Sequence, residues 1–447
     1  MSIWDTLFNR NAHPTTHATP DTRFGRYTDA YKSKAEYDAY AAAGEAFDEG
    51  DFLSSVTNFL EYLRDENEDN VKWKGGRDKL YFELYQGSKR VTGYADRTQL
   101  RAQARIARLC QPDKTLLHRL TTMNYELKYS RFALDEEDCL TIVFDTAAHD
   151  ASPHKLYQAL KEMALRADKQ DDLLLEEFRD AVEEVEVTHL EPLSAEEKQI
   201  KLDFLRRRIT GVLDYLSSGH LNPEAHPGAV AYLLLDLIYR IDYLLVPEGY
   251  TMEALERMHR MYFAREDDQP VTHKNVRLIG ELQQLLRRAP EDFAGELYAG
   301  RSTFGITLPA SHDRLSNLIG NELSNMDWYE DNGYPEVARA IPGYIVGYAL
   351  FNYAVPPPDR ELLHLYYRVT EEEYFDRLGY PGQLSKNGRP ERRAIRKAIG
   401  RVVARYREEY PWFRPAVMEV GYKDMLEFAR TFLEMVRGEW LILFLAG

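Results

Sequence analysis

Residues 81–178 limit the fold more than any other part of the chain, because a strand period, a hairpin and a helical stripe follow one another there. Leu80, Phe82 and Leu84 alternate with Tyr81, Glu83 and Tyr85, the pattern of a strand with one buried face. A turn containing Gly87 leads into a second strand at 90–94, and a short strand at 71–74 precedes both, closed by Gly75-Gly76. Over 98–110, Leu100, Ala104, Ala107 and Cys110 recur near one side of a helix. Pro112 and Asp113 open a second helix, in which Leu116, Leu120 and Met123 recur until Asn124 stops it. Residues 125–134 and 139–145 read as two strands around the acidic turn Asp135-Glu136-Glu137-Asp138. Apolar parity in the first shifts from Tyr125, Leu127 and Tyr129 to Phe132 and Leu134, which a one-residue bulge near Ser130 accounts for. Ser152 caps a long helix with Pro153 at its first position, and its stripe runs through Leu156, Leu160, Met163 and Ala167 to Leu174 and Phe178.

The flanks have different textures. Residues 11–23 are rich in His, Thr, Pro and Asp without an apolar period, as in a tail or arm. His13 and His17 are four apart, but Pro14 and Pro20 oppose the helix that would pair them at a metal. A short helix is expected over 30–43, then a stripe of Phe52, Val56, Phe59, Leu60 and Leu63. Residues 188–194, which contain Pro192, mark a domain boundary. Beyond them helices are predicted at 195–217, 227–246, 252–263, 274–288, 312–331, 335–355, 361–378, 390–410 and 422–444. The expected fold is therefore an N-terminal α+β domain followed by an all-α domain. Residues 1–45 are an arm, 46–187 the α+β domain and 188–447 the helical domain.

A chain of 447 residues is too long for one small core. Its net charge of −16 disfavours nucleic acid and an anionic membrane surface as partners. Residues 229–246 and 341–355 are apolar, but the first carries Asp236, Arg240 and Asp242, and the second falls short of the ~20 residues of a membrane span. Both read as buried helices. Two cysteines, Cys110 and Cys139, make no disulfide framework and read as buried free thiols. Met1 to Thr19 lacks a signal-peptide layout, so a cytoplasmic location is expected.

Helix, three strands, helix, two strands, helix resembles the order of the CesT-like fold of type III secretion chaperones and YbjN-like proteins. The resemblance spans residues 47–178. It rests on Met123-Asn124-Tyr125-Glu126-Leu127, Phe132-Ala133-Leu134-Asp135, Leu140-Thr141-Ile142-Val143-Phe144 and the Ser152-Pro153 start with Leu156 and Leu160. The chain departs from the pattern in its two helical segments between strands three and four, and in its added helical domain. What the resemblance implies is a bacterial, non-enzymatic protein that binds segments of other polypeptides on sheet and helix surfaces, often as a dimer. The implied partner is another protein or a second copy of the chain, with no cofactor. Tyr81, Leu84, Tyr129, Phe132, Leu156 and Leu160 are the candidate core or interface residues.

Catalytic patterns give little. No G-x-x-x-x-G-K-[ST], strand-borne G-x-G-x-x-G, G-x-S-x-G or H-E-x-x-H occurs. His149, Asp150 and His154 read as a solvated helix start, and Glu371-Glu372-Glu373 as a solvated acidic run. The basic run 389–407 reads as a helix with a buried Ile395, Ile399, Val402 and Val403 stripe whose arginines meet acidic groups of the same chain. Gly343 and Gly347, four apart, permit close helix–helix approach beside Tyr344 and Tyr348. Trp440 and the apolar residues up to Leu445 require cover. The enzymatic alternative is a site near His312, Glu322 and Asp327, whose spacings of ten and fifteen keep all three from meeting on one helix. A structural homodimer is the other alternative.

Overall fold

A computed structural model describes residues 20, 22–185, 190–264, 269–380 and 382–438. His13, His17, Thr188 and the segment from Trp440 to Leu445 lie outside the described residues. Two compact units are present. One runs from Phe24 to Arg360; the other joins the described residues before Phe24 to those from Glu361 on.

The larger unit begins with helices α1 (Lys34–Asp48) and α2 (Phe52–Leu63). Four strands follow: β1 (Val71–Gly75), β2 (Lys79–Gln86), β3 (Lys89–Asp96) and β4 (Gln99–Leu109). Then come α3 (Lys114–Glu126), β5 (Arg131–Leu134), β6 (Cys139–Ala147), α4 (Pro153–Glu177) and β7 (Val182–Glu184). The sheet is antiparallel, in the order β1-β2-β3-β4-β6-β5, with β7 paired to the end of β4. Helix starts are where side-chain acceptors stand. Ser33 and Glu36 form a capping box, and Asp51, Asp113 and Ser152 each accept a first-turn backbone N–H.

Residues 98–110 form no helix but the longest strand of the sheet, β4. The alanines suit a helix, yet residues 99–106 also alternate strictly, with Leu100, Ala102, Ala104 and Ile106 buried. Pairing with β3 on one side and β6 on the other decides between the two periods. The order before α3 is thus four consecutive strands, without the extra helix expected there. The bulge lies in β4, between Arg105 and Ala107, and not near Ser130. Residues 125–130 end α3 and turn, so strand β5 has four residues and the parity shift needs no bulge. Cys139 is buried, but Cys110, just past β4, is exposed, which corrects the expectation for that thiol.

One face of the sheet carries the core. Val56, Phe59, Leu60 and Leu63 of α2, and Leu156, Leu160, Met163 and Ala167 of α4, are buried with the inward residues of the strands. Each such leucine or phenylalanine contributes roughly 1.5–3 kcal/mol of transfer free energy. Across the middle, Phe82 pairs with Gly93, Gly93 with Ala102 and Ala102 with Phe144. Two small residues thus stand between two rings, and a Cβ on Gly93 would come 2.3 Å from the Phe82 ring.

The same unit continues with α5 (Ala195–Ser217), α6 (Pro227–Leu245), α7 (Gly249–Phe263), α8 (Val271–Arg287), α9 (Pro290–Gly295), α10 (His312–Leu323), α11 (Met326–Asp331) and α12 (Pro335–Asn352). The single helix expected at 312–331 is broken at Ser324-Asn325. As expected, α6 and α12 are buried, and no described helix is long and apolar enough to cross a membrane. Gly343 lets α12 approach the Asp236–Arg240 pair of α6, where a Cβ would lie 2.2 Å from Asp236 Oδ1. Arg26 ties the N-terminal arm to this region, donating to Asp242 at 2.7 and 3.1 Å and to Glu256 at 2.9 Å. Burial would raise the Glu256 carboxyl, but Arg26 and Lys169 outweigh it and hold it at about 2.

In the second unit α13 (Pro357–Thr370), which starts just before Glu361, is followed by α14 (Glu372–Arg377), α15 (Arg392–Tyr406) and α16 (Met425–Arg437). Between α14 and α15, Asn387 and Gly388 take φ of 52° and 72° and turn a two-residue hairpin.

Gly93→Val forces β-branched bulk against the Phe82 ring. It is expected to lower stability by roughly 1–3 kcal/mol in chemical denaturation, whereas Thr92→Val, next to it on the opposite face, changes little.

Candidate protein-binding surface

Strand alternation that sends the apolar residues inward sends a different set outward. In register across the sheet lie Lys74 of β1, Tyr81 of β2, Tyr94 of β3, Arg101 of β4 and Asp145 of β6. The neighbouring row is Lys72, Glu83, Thr92, Gln103, Val143 and Arg131. Lys79, Arg90, Arg105 and Arg108 complete the basic groups of this face. Eight cations thus stand with four carboxylates, Glu83, Asp96, Asp145 and Glu183, in a chain whose net charge is −16. Helices α2 and α4 cover the inner face; on the outer one Lys74, Tyr81, Arg101 and Asp145 are exposed, while Tyr85, Thr141 and Val143 are buried.

Some of these charges are already paired. Asp145 accepts from Arg131 at 2.6 Å, Glu83 lies 3.7 Å from Arg90, and Arg105 reaches Asp135 and Glu137 in the acidic turn at 2.8 and 3.0 Å. Lys72 reaches Asp69 at 2.9 Å. Tyr81 and Tyr94 stand ring to ring at 6.4 Å, and the Lys79 ammonium lies 3.9 Å from the Tyr94 centroid.

The six residues singled out from the sequence fall into two groups. Leu84 (0% exposed), Phe132 (8%), Leu156 and Leu160 are core, beneath the sheet. Tyr81 (48%) and Tyr129 (38%) are exposed, Tyr81 on the open face and Tyr129 in the turn before β5. That turn is pinned by Glu162 of α4, which accepts from the backbone N–H of Lys128, Tyr129 and Ser130 at 2.8–3.0 Å. Burial would raise the Glu162 carboxyl, but the three N–H groups outweigh it and lower it below the usual carboxylate range. Asn124 bonds the edge of β5, accepting from Phe132 N–H at 2.7 Å, and so occupies part of the edge where a further strand would add. Sequence reasoning missed Lys74, Tyr94 and Arg101. For Arg101 the signal was the alternation in 99–106, hidden by reading it as a helix; Lys74 and Tyr94 join it only through the register of the paired strands.

Elsewhere this α+β fold already grips a short segment of its own chain, residues 301–304. Arg301 C=O accepts from Gly87 N–H at 2.8 Å, and Gln86 Oε1 accepts from Thr303 N–H and Phe304 N–H at 3.2 and 3.0 Å. The Thr303 hydroxyl donates to Tyr85 C=O at 2.7 Å, and the Phe304 ring enters the core edge-on to Tyr157. Gly87, at φ 51°, leaves room for Asp168 of α4, which holds the same hairpin tip through Ser88 N–H at 2.8 Å.

The residues of the enzymatic alternative have separate partners. His312 Nδ1 lies 3.0 Å from Asp359, whose carboxyl is raised by burial against the lowering effect of His312. Glu322 accepts from Tyr232 at 2.6 Å, about 15 Å of helix away from His312. Asp327 stands in the next helix, α11. Among the described residues no group of three metal-binding side chains converges. On the basic helix α15, Arg405 pairs with Glu361, which also accepts from Tyr406 at 2.7 Å, while Arg392 and Arg396 lie over the Tyr422 ring.

Residues 90–182 match the family described as T3SS (YopN, CesT) and YbjN peptide-binding chaperone 1. The match runs from β3 into β7 and meets the expected kinship with CesT-like and YbjN-like proteins within that span; the helical region beyond it matches no family. No curated protein matches the chain.

Glu162→Ala removes the acceptor for three backbone N–H groups and is expected to cost about 1–2 kcal/mol and to speed amide exchange at 128–130. Because the Glu162 pKa is lowered in the folded state, its contribution is full above the ordinary glutamate pKa and is lost as pH falls below it. The stability gap between wild type and variant, measured by denaturation, should therefore close on acidification.

Proposed function

We propose that this is a non-enzymatic, chaperone-like or scaffolding protein whose α+β domain, residues 46–187, receives a segment of another polypeptide on its open sheet face. The supporting observation is that a span matching a peptide-binding chaperone family carries a sheet with helices on one face and exposed side chains on the other. The grip on residues 301–304 supports it further, since main-chain bonds and one buried ring are the means by which such folds take extended chain. Tyr81, with Tyr94 beside it, is the contact group of this reading, and Tyr129 stands apart from it, before β5 at the far edge of the sheet. The four buried residues, Leu84, Phe132, Leu156 and Leu160, shape the sheet from below. Residues 190–360 of the same unit brace the domain, in part through the segment 301–304. No cofactor enters the reading, and its setting is a bacterial cytoplasm.

A photoreactive phenylalanine analogue at position 81 of the full chain, irradiated in the native cell, tests this. Cross-links to other polypeptides from position 81, and none from position 206 on the exposed side of α5, are expected. Equal cross-linking from both positions, or cross-links only to a second copy of the chain, would replace this reading with non-specific contact or the homodimer.

A further inference from the structure

The outer sheet face does more than stand open: its charge is opposite to that of the protein. Most of its cations are engaged, Arg131, Arg90, Arg105 and Lys72 with carboxylates and Lys79 with the rings of Tyr81 and Tyr94. Lys74 and Arg101 have no such carboxylate among the described residues, and both are exposed. They bracket the tyrosine pair in one row, in the register Lys74, Tyr81, Tyr94, Arg101. Asp145, next in that row, is turned to Arg131 and leaves the Arg101 guanidinium to the solvent side.

We propose that this row is a binding site for an acidic, extended peptide, with Lys74 and Arg101 each taking a carboxylate and the Tyr81–Tyr94 pair taking an apolar side chain between them. The inference rests on the reading of the α+β domain as a peptide receiver and adds the chemistry of the peptide. Geometry sets the spacing. Lys74 and Arg101 are three strand intervals apart, about 14 Å, and an extended chain rises ~3.3 Å per residue. Carboxylates about four residues apart therefore span the two cations, and a leucine or aromatic residue midway falls over the tyrosines. Guanidinium–carboxylate pairing supplies direction, and the two rings, tilted 53° to each other with Lys79 over them, offer apolar edges. Net negative charge on the rest of the protein repels the same peptide elsewhere, which confines it to this face. The acidity of the whole chain is also why a nucleic acid is the poorer occupant of the same cations.

Fluorescence anisotropy of the full-length protein with labelled, unstructured twelve-residue peptides tests the proposal. One carries two glutamates four apart around a central phenylalanine; a second has glutamine at both positions; a third has lysine. A single-stranded twelve-nucleotide RNA is the fourth probe. The glutamate peptide is expected to bind at least about tenfold more tightly than the glutamine peptide and to weaken as salt rises. Arg101→Glu and Lys74→Glu, each on an exposed side chain, should each abolish most of that preference without changing the circular dichroism spectrum or the melting temperature. Arg206→Glu on α5 should leave binding unchanged. Equal binding of the glutamate and glutamine peptides, both blocked by Tyr81→Ala, would overturn the acidic preference while leaving peptide reception in place. Failure of every peptide to bind would remove both. RNA binding as tight as that of the glutamate peptide, and lost with Arg101→Glu, would overturn the peptide in favour of nucleic acid.

Discussion

One-sided burial of an antiparallel sheet is the constraint on which the rest depends. In β2, β3, β4 and β6 every second residue is apolar and faces α2 and α4, so the residues between them have no choice of side. A slip of one residue in any of these strands would drive charged side chains into the core and apolar ones into water. The row Phe82, Gly93, Ala102, Phe144 fixes that register from within, because only small residues fit between the two rings. The outer row of lysine, tyrosines and arginine is the other side of the same register. What faces outward is thus set by what packs the core.

The segment at residues 301–304 shows how the helical region of the larger unit is joined to this fold. It meets the β2–β3 hairpin tip through one isolated bridge, Arg301 to Gly87, with Gln86 and Tyr85 supplying polar partners and Phe304 filling the core. The arm at 24–31 makes a second junction through Arg26 to Asp242 and Glu256, and through Asp29, which accepts from the Tyr157 hydroxyl at 2.6 Å. Both junctions use polar groups buried with their partners, an arrangement that fixes orientation more than it adds stability.

Much of this was legible in the chain itself. Alternation at 80–85, the acidic turn of 135–138 and the Ser152-Pro153 helix start stand in the structure where the residues place them. So do the start of α5 at Ala195 and the burial of α6 and α12. β4 was not, because its inward alanines satisfy a helical and a strand period at once, and only pairing on both sides separates the two. Asn124 stands at the end of α3 yet serves β5, a long-range role that no local period carries. The outer face was half legible: Tyr81 stood out as an aromatic on an alternating strand, but its alignment with Lys74, Tyr94 and Arg101 exists only once four strands are in register. Thr303 and Phe304 lie more than 200 residues beyond the hairpin they complete, and nothing in their neighbourhood marks them.

Hydroxyl-radical footprinting of Tyr81 and Tyr94 on the full-length protein, alone and then saturated with a bound polypeptide, tests the central claim most directly. The account predicts rapid oxidation of Tyr81 in the free protein, silence at Phe82 beneath it, and protection of both tyrosines on binding. Slow oxidation of Tyr81 in the free protein, or oxidation unchanged when a polypeptide is bound, would contradict it.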